Sequence, residues 1–541
     1  MRPQPGDGST LLKEGGTRSE DALLCLSLAG LMVLSAGDRI LALPLKYLRW
    51  AHAWQLLLGV LAWSLVLWLL QRAGRSRTAP GYAARALFLL LPLFWLPDAL
   101  TSIEGVTTAY LGLMSALGRV GIGMAASRTL VLALLLAGLG LLVYLALRTR
   151  AGKWMRTGLL LLSALPVLLV VQVLFRLTVR PAAPPQSAPV PSRRVIWLVF
   201  DELDQPILAD HIETLPAFRS LASQSLVATQ AHAPANYTDL SLPSLWTGTP
   251  VFDASSSSRG GLLIRPAADA PWSRTWLKGR TVFERVHALG LGVRIVGWHL
   301  PYCALFPDGP GFTTEDSSPF AAPGPGQNIF TWMLRDSLIW NQVYAFNARR
   351  YRQDLDRYET ALEQQPKGHL GRRIRDLVDA QESALEDATR DASAALVFGH
   401  LGAPHLPLSG MRPAGPAGPQ EDYLANLARC DRFLARTILP LLQEPSTPTL
   451  VIVSSDHWFR YAEAKALAGT GRAPSSRRPI PFLVFISTGH EPPPAPYRRG
   501  FNTERTRDLV EAFLEGRVRT YTEATTLMDT WPDTGTRLVT R

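Results

Sequence analysis

The sequence predicts two successive architectures. The first is an α-helical transmembrane bundle of about five helices. The second is an α/β domain whose mostly parallel sheet is sandwiched by helices. Two observations predict the bundle: nearly all the long apolar runs lie before about residue 180, and they carry almost no charge inside. One observation predicts the sheet domain. Beyond residue 193, apolar runs of strand length alternate with segments of helical period, the pattern of a parallel sheet covered on both faces. A chain of 541 residues has room for two or three domains.

In chain order, residues 1–20 are polar and glycine-containing and are expected to be disordered. They lack the basic start, short apolar core and small-residue cleavage site of a signal peptide. Residues 21–180 form the expected membrane domain, with apolar stretches at 22–36, 54–71, 84–100, 129–147 and 157–178. Several approach the roughly 20 residues that a helix needs to cross a bilayer. The alternative, buried helices of a large soluble protein, does not account for five such runs in one block. Arg72, Arg75, Arg77 and Arg85 follow the second stretch, and Arg148, Arg150, Lys153 and Arg156 follow the fourth. The segment 101–127 carries only Arg119. It is semi-apolar and can lie along the outer membrane face instead of crossing. The positive-inside rule then puts the N-terminus in the cytoplasm and everything after residue 180 outside. Arg39, Lys46 and Arg49 on the first outer loop run against this orientation. The expected location is a cell (inner) membrane, multi-pass, with the second domain on the periplasmic or extracellular side. The formal charge of +11 is absorbed by these loops. No basic–aromatic interleaving, glycine-rich phosphate loop or internal repeat is present, so nucleic acid is not an expected partner.

Residues 181–192, rich in proline, read as an extended, semi-rigid linker. The remainder, 193–541, offers strand candidates at 194–200, 293–297, 394–399, 449–454 and 480–486. Segments 334–362 and 370–388 show helical spacing, and 253–275 and 306–328 read as long loops. The cysteines are Cys25, Cys303 and Cys430; an exported Cys303–Cys430 pair could form a disulfide, though sequence does not say whether they meet.

The chemistry gathers at strand ends. The run Val195–Phe200 stops at Asp201-Glu202, and Thr449–Val453 leads into Ser454-Ser455-Asp456-His457. In parallel α/β sheets, ligands collect beyond the carboxyl ends of strands. Between these runs lies Asn236-Tyr-Thr-Asp-Leu-Ser-Leu-Pro-Ser-Leu-Trp-Thr-Gly248, which reads as a loop opening a helix, with Pro243 in its first turn. That sets the Thr238 hydroxyl near a helix N-terminus, where anions are favoured. The plain reading of Thr238 is a helix cap. The sharper one is a nucleophile activated by a cation that Asp201, Thr238, Asp456 and His457 surround. Oxygen ligands with one imidazole suit zinc or manganese, and calcium or magnesium less well.

The arrangement resembles the alkaline phosphatase superfamily in its sulfatase-like branch. Asp201-Glu202 resembles the acidic pair of sulfatases, and Ser455-Asp456-His457 resembles their S-D-H-G metal motif. Thr238, ten residues before Gly248, matches the nucleophile of T-x-x-S-x-P-x-x-x-[ST]-G, a pattern similar to that of membrane-anchored phosphoethanolamine transferases. His400-Leu-Gly-Ala-Pro-His405-Leu-Pro407 resembles H-x-x-G-S-H-G-P. The resemblance covers about residues 193–490, with the motifs in the family's order. It implies a sulfatase-like catalytic domain after five crossing helices. It also implies a metal held by Asp201, Glu202, Thr238, Asp456 and His457, with His405 and His400 toward substrate. His299 and His232 match no motif and read as structural. The sulfatase C/S-x-P-x-R motif is absent, and a Thr alkoxide suits attack on phosphorus. One departure stands out: no histidine follows the Asp-His pair until His490. Either a single ion is bound tightly, or Arg460, Arg477 or Arg478 carries phosphate charge in place of a second. The expected function is phosphoryl or substituted-phosphoryl transfer, or phosphodiester cleavage, on a lipid-linked or glycan phosphoester, with membrane lipids as partners. The alternatives are a sulfatase-like ester hydrolase of small soluble substrates and a non-catalytic envelope scaffold.

Overall fold

The fold is given by a computed structural model. It describes residues 18–42, 50–76, 78–88, 160–178, 189–256, 262–316, 369–405, 419–443, 447–460, 475–488 and 491–539, with 113, 157 and 445 as isolated positions. These residues fall into two compact units, one before Pro181 and one after it.

The first unit packs α1 (Arg18–Ala42), α2 (Trp50–Ala73) and α3 (Ala164–Thr178). Cys25, Ala29, Met32 and Val33 of α1, Leu56, Val60, Trp63 and Leu67 of α2, and Leu169 and Val173 of α3 share one buried cluster. The approach is close at Gly30, where a Cβ would lie 2.7 Å from Pro166 Cδ. At one end, buried Asp21 accepts a hydrogen bond from Gln71 (2.8 Å) and pairs with Arg75. α2 is apolar all round: beyond its buried stripe it exposes Trp54, Leu58, Leu61, Leu65 and Leu69. A helix in water keeps one polar face; a helix in lipid does not need one. Among the described residues, α2 is the one helix long and apolar enough to cross a membrane. α1 spends length on Glu20, Asp21, Asp38 and Arg39, and α3 has 15 residues. The expected stretches at 22–36 and 54–71 fall on α1 and α2, and that at 157–178 reaches α3 from residue 164, with 158 and 159 outside the described residues. The stretch at 129–147, and that at 84–100 beyond residue 88, lie outside the described residues.

The second unit is an α/β domain. Its strands are β1 (Arg194–Asp201), β2 (Leu226–His232), β3 (Asp253–Ser256), β4 (Leu262–Arg265), β5 (Gly292–Gly297), β6 (Phe312–Asp316), β7 (Ala394–Pro404), β8 (Thr449–Ser455), β9 (Ile480–Ile486) and β10 (Phe501–Asn502). Eight of them form one sheet in the order β10-β2-β9-β8-β1-β7-β5-β6. β1 runs parallel to β7 and β8, β5 to β7 and β6, and β10 to β2; only β9 is antiparallel to its neighbours. The mostly parallel sheet is the one the sequence predicts, and all five strand candidates lie in it. Alternation along β1 explains why its apolar run is unbroken: Val195, Trp197 and Val199 enter one core, Ile196, Leu198 and Phe200 the other.

Helices cover both faces: α4 (Gln205–His211), α5 (Pro216–Ser223), α6 (Thr238–Thr247), α7 (Val282–Ala288), α8 (His369–Arg390), α9 (Pro419–Thr437), α10 (Thr506–Leu514) and α11 (Tyr521–Met528). Side chains of α6, α7, α10 and α11 enter the first core, and those of α4, α5, α8 and α9 the second. The helix expected over 370–388 is α8; the one over 334–362 lies outside the described residues. Two loop expectations need correction. The segment 253–275 contains the antiparallel hairpin β3–β4, and 306–328 contains β6 before it leaves the described residues at 317. All three strands are only four or five residues long, and β3 and β6 are mostly polar, so their periodicity is faint in sequence. Cys303 and Cys430 do not pair; both are buried free thiols.

Candidate active site

The parallel register of β1 and β8 sets Phe200 beside Ser455, so the next residues, Asp201 and Asp456, emerge together at the carboxyl end of the sheet. β7, on the other side of β1, brings Pro404 beside Asp201. Ser455 ties the two strand ends: its Oγ lies 2.8 Å from Phe200 O and accepts the Leu203 N–H at 2.9 Å. The chain turns at once through Glu202, whose φ is 65°. A non-glycine residue holds that conformation only where its surroundings enforce it. The turn aims the Glu202 N–H at Asp456 Oδ1 (3.2 Å), and the His457 N–H reaches the same oxygen (2.9 Å).

That leaves Asp456 Oδ2 for Thr238, whose hydroxyl donates to it at 2.7 Å. Thr238 is the first residue of α6. The cap position belongs to Tyr237, which makes no side-chain capping bond. So the hydroxyl stands at a helix N-terminus without serving as the cap. Pro243 lies inside α6, not in its first turn. Gly248 closes the helix in the left-handed conformation (φ 63°), its N–H bonded to Ser244 O at 2.8 Å, which explains the glycine in the motif. Below, Trp246 of α6 packs edge-on against Tyr302 (5.5 Å) and tilted against Phe283 (5.9 Å), pinning the helix to the sheet.

His457 completes the cluster. Its Nδ1 lies 3.0 Å from Trp458 O, so that nitrogen carries the proton and Nε2 keeps its lone pair. Nε2 stands 3.3 Å from Thr238 Oγ1, 3.5 Å from Asp456 Oδ2 and 3.8 Å from Asp201 Oδ1. Ligand atoms of Asp201, Asp456 and His457 all lie within 4.8 Å of one another, and all three residues are buried. Asp201 Oδ1 has no hydrogen-bond partner among the described residues. Burial, with Asp456 and Glu202 nearby, pushes the Asp201 carboxyl well above the usual carboxylate range. Burial works the same way on Asp456, but His457, His400 and the hydrogen bonds from Thr238 and the Glu202 N–H outweigh it and hold that carboxyl low. Two buried carboxylates, an orphaned oxygen and an inward lone pair are a donor set short of positive charge, and a divalent cation fits it.

The other predicted residues surround this cluster. His400 donates from Nδ1 to Trp298 O (2.9 Å), and its buried Nε2 lies 4.0 Å from Asp456 Oδ2 with no hydrogen-bond partner among the described residues. Desolvation brings its pKa down to about 4. His405, half-buried, stands in the field of Glu202 and Arg460, and desolvation lowers it to about 4 as well. Glu202 itself is engaged by Arg460, whose Nε donates to Oε1 at 2.9 Å. Burial would raise the Glu202 carboxyl, yet His405, Arg460 and His457 bring it below its ordinary value. The Arg460 guanidinium also lies 4.9 Å from the ring centre of Tyr237, the neighbour of Thr238. Arg478 is instead bonded to Asp204 and Arg477 to Asp533, each at 2.8 Å. His232 is buried beside Asp533.

Sequence reasoning gave His299 a structural role. It follows the last residue of β5 by two positions at the same end of the sheet, exposed to solvent and within the electrostatic reach of Asp239, Asp456, Arg460 and His457. Its φ is 69°, and among the described residues it and Glu202 are the two non-glycine positions with left-handed backbone. The signal for it was position alone, a histidine directly after a strand.

No protein-family model matches the chain, and no curated protein does. Solved structures do. One is a protein of the alkaline phosphatase superfamily from Vibrio parahaemolyticus, 14% identical over 61% of this chain and 68% of that one, with a TM-score of 0.36. Another is the soluble domain of lipooligosaccharide phosphoethanolamine transferase A from Neisseria meningitidis, 13% identical over 62% and 90%, TM-score 0.33. A third is the C-terminal periplasmic domain of EptC from Escherichia coli in complex with zinc, 11% identical over 61% and 84%, TM-score 0.32. The superfamily that the four motifs resemble is the one these structures belong to, at a likeness that carries no residue role across.

Proposed function

We propose that this chain is a membrane-anchored, metal-dependent phosphotransferase or phosphodiesterase that acts on lipid or cell-envelope phosphoesters, with Thr238 as nucleophile. One observation carries the reading. A threonine hydroxyl at a helix N-terminus is hydrogen-bonded to a buried carboxylate (2.7 Å) and stands 3.3 Å from an imidazole lone pair. A divalent ion bound by Asp201, Asp456 and His457, zinc or manganese by the donor set, would lower the pKa of that hydroxyl and draw charge from the phosphoryl oxygens.

The chain's own residues would do the rest. Asp456 Oδ2 accepts the Thr238 proton while Oγ1 attacks phosphorus. The bond from phosphorus to the leaving oxygen breaks, and that oxygen takes a proton from solvent. The product is a phospho-threonine ester. A second acceptor, an alcohol of a lipid or glycan or else water, attacks the same phosphorus and returns Thr238 to its hydroxyl. Phosphorus is favoured over sulfur because the nucleophile position holds threonine and no C/S-x-P-x-R motif is present. The membrane anchor rests on α2, apolar on every side.

The test is peptide mass spectrometry after mixing the metal-loaded protein with a phosphodiester. The expected result is the transferred group on the peptide containing Thr238. A turning-over enzyme whose only adduct sits on another residue overturns the assignment. Release of sulfate from a sulfate ester, with no phosphoester turnover, identifies the hydrolase alternative. A purified chain that binds no divalent ion and turns over neither ester is the scaffold.

A further inference from the structure

The sequence leaves three arginines, Arg460, Arg477 and Arg478, as candidates to carry phosphate charge beside the ion. The structure separates them. Arg477 is bonded to Asp533 on the surface. Arg478 is spent on Asp204, a fully buried carboxylate whose other oxygen caps α4. Arg460 differs in three ways. It follows His457 by three residues, so the segment that supplies a metal ligand also carries the guanidinium. Its plane lies over Tyr237, the residue before the nucleophile. And among the described residues its Nε alone is taken, by Glu202, while the side chain stays about a third open to solvent (36%).

We propose that Arg460, held by Glu202 and Tyr237, is the fixed cation that grips the non-bridging oxygens of the transferred phosphoryl group, so that the site works with one divalent ion. The proposal rests on the phosphoester reading above and deepens it. A guanidinium offers donor edges that each present two roughly parallel N–H bonds, one edge including Nε and one formed by the two terminal nitrogens. With Nε bonded to Glu202 Oε1, the edge formed by its two terminal nitrogens has no partner among the described residues. That edge matches two oxygens of a tetrahedral phosphoryl group, as a bidentate arginine–phosphate pair requires. Glu202 fixes the plane and, being buried, sustains the charge on Arg460 against desolvation. Tyr237 sets the distance to the nucleophile, because the ring on which Arg460 lies belongs to the residue that caps α6. In this arrangement Glu202 serves the arginine and leaves the ion to Asp201, Asp456, His457 and Thr238. The charges also favour a substrate. The Glu202–Arg460 pair is neutral as a whole, so the position suits a singly charged diester better than a doubly charged monoester.

The experiment uses the full chain in detergent, loaded with zinc or manganese, and inorganic phosphate as the probe. Metal content is measured by elemental analysis and phosphate binding by calorimetry. The expected results are one tightly bound ion per chain in the wild type, in Arg460→Gln and in Glu202→Gln. Phosphate binding should weaken in Arg460→Gln by between about tenfold and about a hundredfold, the worth of one or two charge-assisted hydrogen bonds. Arg460→Lys should fall between, keeping charge but not the fork. Glu202→Gln should raise KM for bis(p-nitrophenyl) phosphate more than it lowers kcat. Unchanged phosphate binding in Arg460→Gln overturns the proposal, and so does loss of the ion in Glu202→Gln, which would make Glu202 a metal ligand. The two readings fail separately. Phosphate binding that depends on Arg460 in a chain without phosphoester turnover keeps the grip and removes the reaction. Thr238-dependent turnover that ignores Arg460 does the reverse.

Discussion

In the proposed reaction Thr238, Asp456 and His457 act as one unit, and each makes a separable prediction. Thr238→Ala removes the nucleophile but neither buried carboxylate. Turnover of a phosphodiester should fall by about a thousandfold or more, with folding and bound ion retained. Thr238→Ser keeps the hydroxyl but frees its rotamer, so a measurable part of the rate should remain. Normal turnover in the alanine variant would move the chemistry to another group, and Ser241 is not a candidate because its hydroxyl is bonded to Ala235 O at 2.8 Å. Asp456→Asn or His457→Ala should abolish tight metal binding by elemental analysis, since each removes one donor from a set of few. Retention of the ion in the double variant would exclude both as ligands. At this scale much was legible. Thr238, Asp456, His457 and Asp201 were marked by residue type and by strand or helix ends, and the structure brings their side chains within reach of one another. Arg460 was one of three equals in sequence. Only the partners, buried Asp204 for Arg478 and surface Asp533 for Arg477, distinguish it from those two. His299 was not legible, because its place depends on β5 lying two strands from β1.

At the scale of elements, α6 is the part whose position sets the reaction geometry. Trp246 is buried among Phe283, Tyr302, Phe306 and Phe398, with ring centres 5.3 to 6.2 Å away. Trp246→Ala should lower stability by about 3–5 kcal/mol, read in a denaturant titration, because the surrounding rings cannot close so large a space. A cost under about 1 kcal/mol would show that α6 is not held from below. Gly297 makes a narrower prediction. A Cβ there would lie 2.0 Å from the Tyr302 ring, so Gly297→Ala should displace that ring and destabilise the domain, with a lowered Tm as the readout. The interior strands of the sheet were readable because burial on both faces writes an unbroken apolar run. β2, β6 and β10 were not, since strands at or near an edge carry polar residues that blur the pattern. The β3–β4 hairpin escaped for the same reason.

At the scale of the whole chain, the prediction concerns topology. By the positive-inside rule, the loops rich in arginine after the second and fourth apolar stretches predict the N-terminus in the cytoplasm and the sheet domain outside. A reporter active only in the cytoplasm should work when fused after residue 77 and be silent when fused after residue 185. Activity at residue 185 would overturn the outside placement. The all-round apolar surface of α2 is what such a placement requires of a spanning helix. The sequence by itself determined the division into an apolar helical part and an α/β part, the central strands, and the residues on which the proposed chemistry rests. These follow from local facts: the period of apolar residues, the position of a turn, the type of side chain at a strand end. The tertiary structure alone decided which strand neighbours which, and with that which orphaned atoms face one another. Asp201 and Asp456 lie more than two hundred residues apart in sequence and meet because β1 and β8 pair in register. Glu202 takes Arg460 as its partner for the same reason. Pairing between distant segments is set by the packing of the whole core, and no local pattern encodes it.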